Sequence, residues 1–475
     1  MSSALSAGAG VATIASEVAA GHVTALAVAQ ATFARITAGN PRLNAFTDVL
    51  TERVLSKARR IDADRAAGRE PGPLAGVPFG VKNLFDIAGL PTRAGSRINR
   101  DRAPAKRDAA LARRLEAAGA MLIGGLNMGE YAYDFTGENA HDGPSRNPHD
   151  LSRMTGGSSG GSGAALAGGL VPLTLGSDTN GSIRVPSAFC GTFGLKPTYG
   201  RLSRAGSFPF VGSLDHLGPF ARSVEDLALS YDAMQGADPD DPASAGRPAE
   251  PVMPHLRQGA DGLRIAVLGG YFARQAEPAV LAAVSLAARA LGTERVLELP
   301  EAHRARAAAF VMTAAEGAAL HAARLRERAA DFDPAVRDRL IGGLAIPANW
   351  VQQAQRFRRW YQERVLALFD GVDVLLAPST PCRAPRLGQT ELTLDGVIMP
   401  LRPNIGIFTQ PISFIGLPVV AVPIWMDKDL PFGLQVIAPP WREDLALRVA
   451  FSLADAGIAT SPLGKGLAFA RGLSW

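Results

Sequence analysis

The stretch RMTGGSSGGSG, residues 153–163, sets three serines among five glycines. Such a segment could cradle a phosphate, present a nucleophilic serine, or serve as a slack linker. A phosphate loop needs a Gly-Lys-Ser/Thr run opening a helix, and no lysine lies near these glycines. A dinucleotide fingerprint needs G-x-G-x-x-G after a strand, and the chain has none. Ser158 and Ser159 each satisfy G-x-S-x-G, the pattern of a nucleophile elbow. An elbow, however, follows a buried strand, and here the preceding SRNPHDLSR is a polar loop. The histidines a triad would draw on, His216, His255, His303 and His321, have no distinctive setting.

A better context lies downstream, in GLVPLTLGSDTNGSIRVPSAFCG, residues 169–191. The apolar run Leu170–Leu175 leads into a tight turn, after which Ser182 opens a helix. Successive backbone N–H groups at such a turn can converge on one oxyanion beside the Ser182 hydroxyl. The same residues also describe an ordinary capped strand-to-helix turn. A third element, GVPFGVKNLFD, ends a short apolar strand on Lys82. That lysine is either a strand-end charge or a buried neutral base, since burial disfavours the ammonium. In the second case Asp86, four residues on, must point elsewhere.

Together these segments resemble the amidase signature family. The resemblance runs through GVPFGVKNLFD, TGGSSGGSGAALAGG, LGSDTNGSIRVPSAFCGTFGLKPTYGRLS and FTQPISFIGLPVVAVP, and so covers essentially the whole chain. It implies a Ser–cis-Ser–Lys triad with Ser182 as nucleophile, Ser158 as bridging serine and Lys82 as base. Ser158 would follow a cis peptide, and the backbone N–H groups of Thr179, Asn180, Gly181 and Ser182 would form the oxyanion hole. Ser159 would be an auxiliary hydrogen-bonder. Asn180 departs from the family pattern, which often has two glycines before the nucleophile. Its backbone N–H survives the change, and its side chain is expected to narrow the pocket.

The resemblance further implies amide hydrolysis through an acyl-enzyme, with no metal and no cofactor. NLFDIAGLPTRAGSRINR, GGLNMGEYAYDFTGENAHDGPSRNPHD, DAMQGADPDDP and LRIAVLGGYF look like the branch of biuret and carboxybiuret hydrolases. That branch implies a small anionic ureide as substrate, ammonia as leaving group, and a small helical partner subunit. Tyr133 and Arg153 are candidates to line the pocket. Two other amide-hydrolysing readings share the triad: an oxalurate-like purine-ureide hydrolase and the glutaminase subunit of a tRNA-dependent amidotransferase. An idle scaffold fits less well, because it has no use for an intact triad. A homodimer of the large chain is expected in either case.

The elements that must hold these residues alternate. Short apolar runs, as in GVPFGVKN, AMLIGGLN and LVPLTLGSD, are interspersed with helical stretches such as DAALARRLEAAG. In TALAVAQATFARI, Leu26, Ala29, Phe33 and Ile36 recur at helical spacing behind Thr24, a candidate N-cap. The fold expected is α/β: a central mixed sheet with helices on both faces, as one domain over residues 1–475. Residues 75–220 form the core carrying the triad, and 236–262 an exposed connection. Residues 263–400 read as a second, helical lobe that the strand LRIAVLGG opens; strands return in DVLLAPS, PVVAVPI and FGLQVIAP, and 401–475 reads as strands and a helix that complete the sheet.

Composition sets the outer limits. The 475 residues are 47% hydrophobic and 20% charged, as in an ordinary globular protein. Six lysines stand against forty-three arginines, which makes each lysine worth inspecting. The net charge of +5 without a basic run argues against a nucleic-acid partner. Cys190 and Cys382 form neither a disulfide framework nor a zinc spacing. No charge precedes Glu17, and the longest apolar run, near 164–176, falls short of the ~20 residues of a membrane span. A cytoplasmic enzyme is expected.

Overall fold

The computed structural model describes residues 2–427 and 429–465. Thirteen strands lie within it: β1 (Phe46–Val49), β2 (Pro78–Lys82), β3 (Met121–Leu126), β4 (Leu173–Asp178), β5 (Phe193–Lys196), β6 (His216–Ala221), β7 (Ile265–Leu268), β8 (Val296–Leu297), β9 (Val374–Pro378), β10 (Glu391–Leu394), β11 (Val397–Pro400), β12 (Val419–Ile424) and β13 (Phe432–Ile437). Eleven of them form one sheet in the order β1-β3-β2-β4-β6-β5-β12-β13-β9-β7-β8, while β10 and β11 pair as a separate hairpin. The sheet is mixed. β2 runs parallel to both β3 and β4, whereas β4, β6, β5, β12, β13 and β9 follow one another antiparallel.

Every residue of β2, β3, β4, β5, β6, β9, β12 and β13 is buried. Strands covered on both faces carry continuous apolar runs rather than alternation, which is why PVVAVPI and FGLQVIAP read as strands. Some of the helices begin at a side chain that satisfies one of their first N–H groups. Thr24 caps Ala25–Leu43 by accepting from the Ala27 N–H at 3.1 Å, and Ser223 caps Val224–Met234 in the same way.

The segment 263–400 contributes strands as well as long helices. Its β7, β8 and β9 extend the sheet, because β9 docks antiparallel on β13 and carries β7 with it. Its long helix Ala302–Arg328 buries Ala305, Ala309, Met312 and Thr313 and packs beside the helix Pro334–Gly343. The connection 236–262 is also more ordered than its composition suggests. Asp238 accepts from Ser203 Oγ at 2.6 Å and Asp241 pairs with Arg204 at 3.0 Å, so both carboxylates are buried and 245–249 stay exposed. Of the C-terminal segment, residues 466–475 lie outside the described residues. Among the described residues, no helix is long and apolar enough to cross a membrane.

Candidate active site

β2 delivers Lys82 to the middle of the sheet with none of its surface exposed. Its Nζ lies 2.6 Å from Ser158 Oγ and 2.8 Å from Ser177 Oγ. Burial pushes the Lys82 pKa down to about 7, against the opposing pull of the Asp178, Asp215 and Asp134 carboxylates. Asp86 is turned away and accepts from the Thr92 hydroxyl.

Ser158 and Ser159 precede the buried helix Gly160–Ala167, and the Gly157–Ser158 peptide is cis, as the family resemblance implied. Gly157 is required by its surroundings. A Cβ there would stand 2.6 Å from Asp134 Oδ2 and 2.7 Å from the Gly137 nitrogen. Asp134 in turn accepts from the N–H groups of Thr136 and Gly137 at 2.8 and 2.7 Å. Ser159 Oγ accepts from the Ser177 N–H at 3.3 Å and donates to the Ser177 carbonyl at 3.2 Å. This pair of bonds fastens the 157–159 turn to the end of β4.

From that end the chain turns through residues 178–184. Asp178 and Arg184 have fully buried side chains paired at 2.9 Å. Burial alone would raise the Asp178 pKa, but the Arg184 guanidinium holds it well below the usual carboxylate range. Arg184 also donates to the Thr409 carbonyl at 3.1 Å, to Gln435 Oε1 at 2.7 Å, and to the Ser413 hydroxyl. Thr409 Oγ1 donates to the Asn180 carbonyl at 2.6 Å. Gly181 has φ of 142°, and a Cβ on it would fall 2.3 Å from Thr409 Oγ1, so the close approach of these two segments needs glycine. Thr179 Oγ1 donates to Asp215 Oδ1 at 2.6 Å, while Asp215 Oδ2 accepts from the Phe210 and Val211 N–H groups at 2.8 and 2.9 Å. One carboxylate thus ties the 178–184 turn to the Phe210 loop.

Ser182 is 3% exposed and opens on a narrow pocket that it lines with Tyr133, Asn180, Thr313, Arg339 and Gln410. The Arg339 guanidinium lies 3.5 Å from the Tyr133 ring centroid and donates to the Tyr133 carbonyl at 2.8 Å. It places a cation at the pocket wall. A wider cleft between Arg201, Tyr231, Trp441 and Glu443 contains neither Lys82 nor any of these serines, and its Arg201 and Arg442 are paired with Glu250 and Asp444.

The profile of the amidase family matches residues 27–447. The chain belongs to the amidase signature family. This amidase, a hydrolase of C–N amide bonds, is 54% identical over 444 residues to AtzE, the 1-carboxybiuret hydrolase subunit of Pseudomonas sp. (strain ADP). That match spans 93% of the chain and 97% of the relative. It is 40% identical over 473 residues to a glutamyl-tRNA(Gln) amidotransferase subunit of Salinispora arenicola (strain CNS-205), spanning 92% of the chain and 95% of the relative. Among solved structures, it matches with a TM-score of 0.94 and 53% identity one described as a vestigial protein complex that reveals the origins of an s-triazine catabolic enzyme. That match covers 96% of the amidase and 100% of the other chain.

The amidase brings Lys82, Ser158 and Ser159 to the end of β4, where Thr179, Asn180, Gly181 and Ser182 follow, and it sets Tyr133 in the pocket wall. Arg153 is not among the pocket-lining residues. Its guanidinium is taken by Asp150 at 3.1 Å and by the Ala384 carbonyl at 2.7 Å, which corrects its candidacy. Sequence reasoning missed Ser177, although it adjoins the motif aspartate. It also missed Asp134, Asp215, Thr313, Arg339 and Gln410, which no local pattern marks.

Proposed function

We propose that this amidase hydrolyses a small anionic ureide of the carboxybiuret type and releases ammonia. The observation that carries this reading is the Arg339 guanidinium in the wall of the narrow pocket onto which Ser182 opens. A cation there suits a substrate with a carboxylate, and a pocket this narrow suits a small one. The relative named as a 1-carboxybiuret hydrolase subunit supports the same substrate class.

In the proposed mechanism neutral Lys82 takes the proton of Ser158, which takes that of Ser182. Ser182 Oγ attacks the terminal carbonyl carbon, and the backbone N–H groups of residues 179–182 receive the oxyanion. Ser158 passes the proton it took from Ser182 to the departing nitrogen, so that ammonia leaves rather than an amide anion, and it recovers its own proton from Lys82, which is neutral again. Water then cleaves the acyl-enzyme by the same relay, with Lys82 and Ser158 drawing its proton and restoring Ser182.

The AtzE relative is one subunit of its hydrolase, and the matching structure is of a complex; both support a partner for this chain too. We assign that role to a small helical protein, and a homodimer to the large chain. The test is ammonia release by purified protein, alone and with such a partner, from 1-carboxybiuret, biuret, oxalurate and glutamine. Release from 1-carboxybiuret well above that from glutamine is expected. Glutamine as the preferred substrate would replace this reading with a glutaminase, for which the amidotransferase relative provides the precedent.

A further inference from the structure

Asn180 stands two residues before Ser182, with its side chain in the same pocket. It is 6% exposed, and its backbone carbonyl is held by Thr409 Oγ1 at 2.6 Å. Its Nδ2 donates to Thr313 Oγ1 at 2.9 Å, on the helix Ala302–Arg328. Its Oδ1 is buried, and no protein donor among the described residues reaches it. A buried amide oxygen left in this way is costly unless something else supplies a hydrogen. With Nδ2 turned to the Thr313 hydroxyl, the free end of the amide is Oδ1, an acceptor.

What could supply that hydrogen follows from the reaction. The scissile carbonyl must lie against the backbone of residues 179–182, so an acceptor on residue 180 faces the atoms bonded to that carbonyl. In a ureide the atom on the side away from the leaving nitrogen is an N–H. In an ordinary carboxamide, such as the glutamine side chain, it is a CH2. We infer that Asn180 Oδ1 accepts a hydrogen bond from this internal N–H and thereby selects ureides over carboxamides. Arg339 then reads the anionic end, and Asn180 reads the position beside the bond that breaks. This inference rests on the ureide reading above and adds a specificity residue to it.

The test uses a substrate pair: 1-carboxybiuret and its analogue with CH2 in place of the N–H next to the terminal carbonyl. The readout is the ratio of kcat/KM for the two, which cancels effects common to both. The ratio is expected to fall by about tenfold or more in Asn180→Ala, the scale of discrimination lost with a buried polar partner. Asn180 does not have a positive φ, so alanine can hold its backbone. Thr313→Val removes the group that orients the amide and leaves the turn itself untouched. It is expected to lower the ratio by a smaller factor, and it gives a second reading should Asn180→Ala fold poorly. A ratio unchanged in both variants while wild type hydrolyses 1-carboxybiuret overturns this inference and leaves the ureide reading standing. Failure of wild type to release ammonia from any ureide overturns both.

Discussion

Lys82 sits where its protonation state decides whether the proposed relay can start. Its pKa, lowered to about 7 by burial, means that the neutral amine gains population as pH rises through that value. The pH profile of kcat/KM should therefore climb through a limb centred near 7 and stay high in mild alkali. Lys196 is also buried with a pKa near 7, so a limb alone does not identify its owner. Asp215 separates the two, because its charge raises the pKa of Lys82 and is not among the influences on Lys196. Asp215→Asn should move the limb to lower pH, and an unmoved limb would assign it elsewhere. Lys82→Arg keeps a charge that cannot be lost, so kcat/KM should drop by at least about a hundredfold, comparable with Lys82→Ala. Substantial activity in Lys82→Arg would mean that the residue acts as a positive charge and that the relay is wrong.

Lys82, Ser158 and Ser182, the groups of the proposed relay, were legible because each lies inside a short run whose composition is unusual. Their supports were not. Asp134, Asp215, Thr313 and Arg339 come from four distant segments, and only folding brings them around Ser182. Ser177 looks like any turn serine until Lys82 is placed 2.8 Å from it. Arg153 was misread for the opposite reason: proximity in sequence to the glycine loop says nothing about which way a long side chain turns.

Among the elements, the turn 178–184 holds its shape through bonds that reach far along the chain. Arg184→Met would leave Asp178 buried without its partner, and should cost about 3–5 kcal/mol of stability by denaturant unfolding. Asp178→Asn added to it should recover part of that loss, since both charges are then gone. A single variant as stable as wild type would show that the pair does not hold the turn. Gly181→Ala places a Cβ against Thr409 Oγ1 at 2.3 Å, too close to remain, so the turn must shift. A fall in kcat of about a hundredfold is expected, since displacements near 1 Å have that effect on reacting groups. β2, β3, β4, β7, β9, β12 and β13 were readable as apolar runs bounded by glycine or proline. β1, β5, β6, β8, β10 and β11 were not: none of FTDV, FGLK, VL, ELTL and VIMP exceeds four residues, and HLGPFA is broken by glycine and proline. They are strands because neighbouring strands supply the pairing, which propensity does not foresee.

At the scale of the whole molecule, the sheet is stitched from both halves of the chain, with β5 against β12 at the seam. A cut in the exposed residues 245–249 would give one fragment carrying Lys82, Ser158 and Ser182, and another carrying Thr409, Ser413 and Gln435. Expressed separately, neither fragment should hydrolyse any amide; co-expressed, they should regain measurable ammonia release. Activity in the first fragment alone would show that the second half only decorates the site.

The reach of Arg184 also matters during synthesis. Its partners Thr409, Ser413 and Gln435 follow it by 225, 229 and 251 residues. At the ~5–20 residues per second of a translating ribosome, the guanidinium waits on the order of ten to fifty seconds for its last acceptors. Throughout that interval the nascent chain carries Lys82, Ser158 and Ser182 and lacks the segments that hold the 178–184 turn. Translation that stops anywhere before β13 is therefore expected to release an inert polypeptide rather than a partly folded hydrolase loose among the cell's amides.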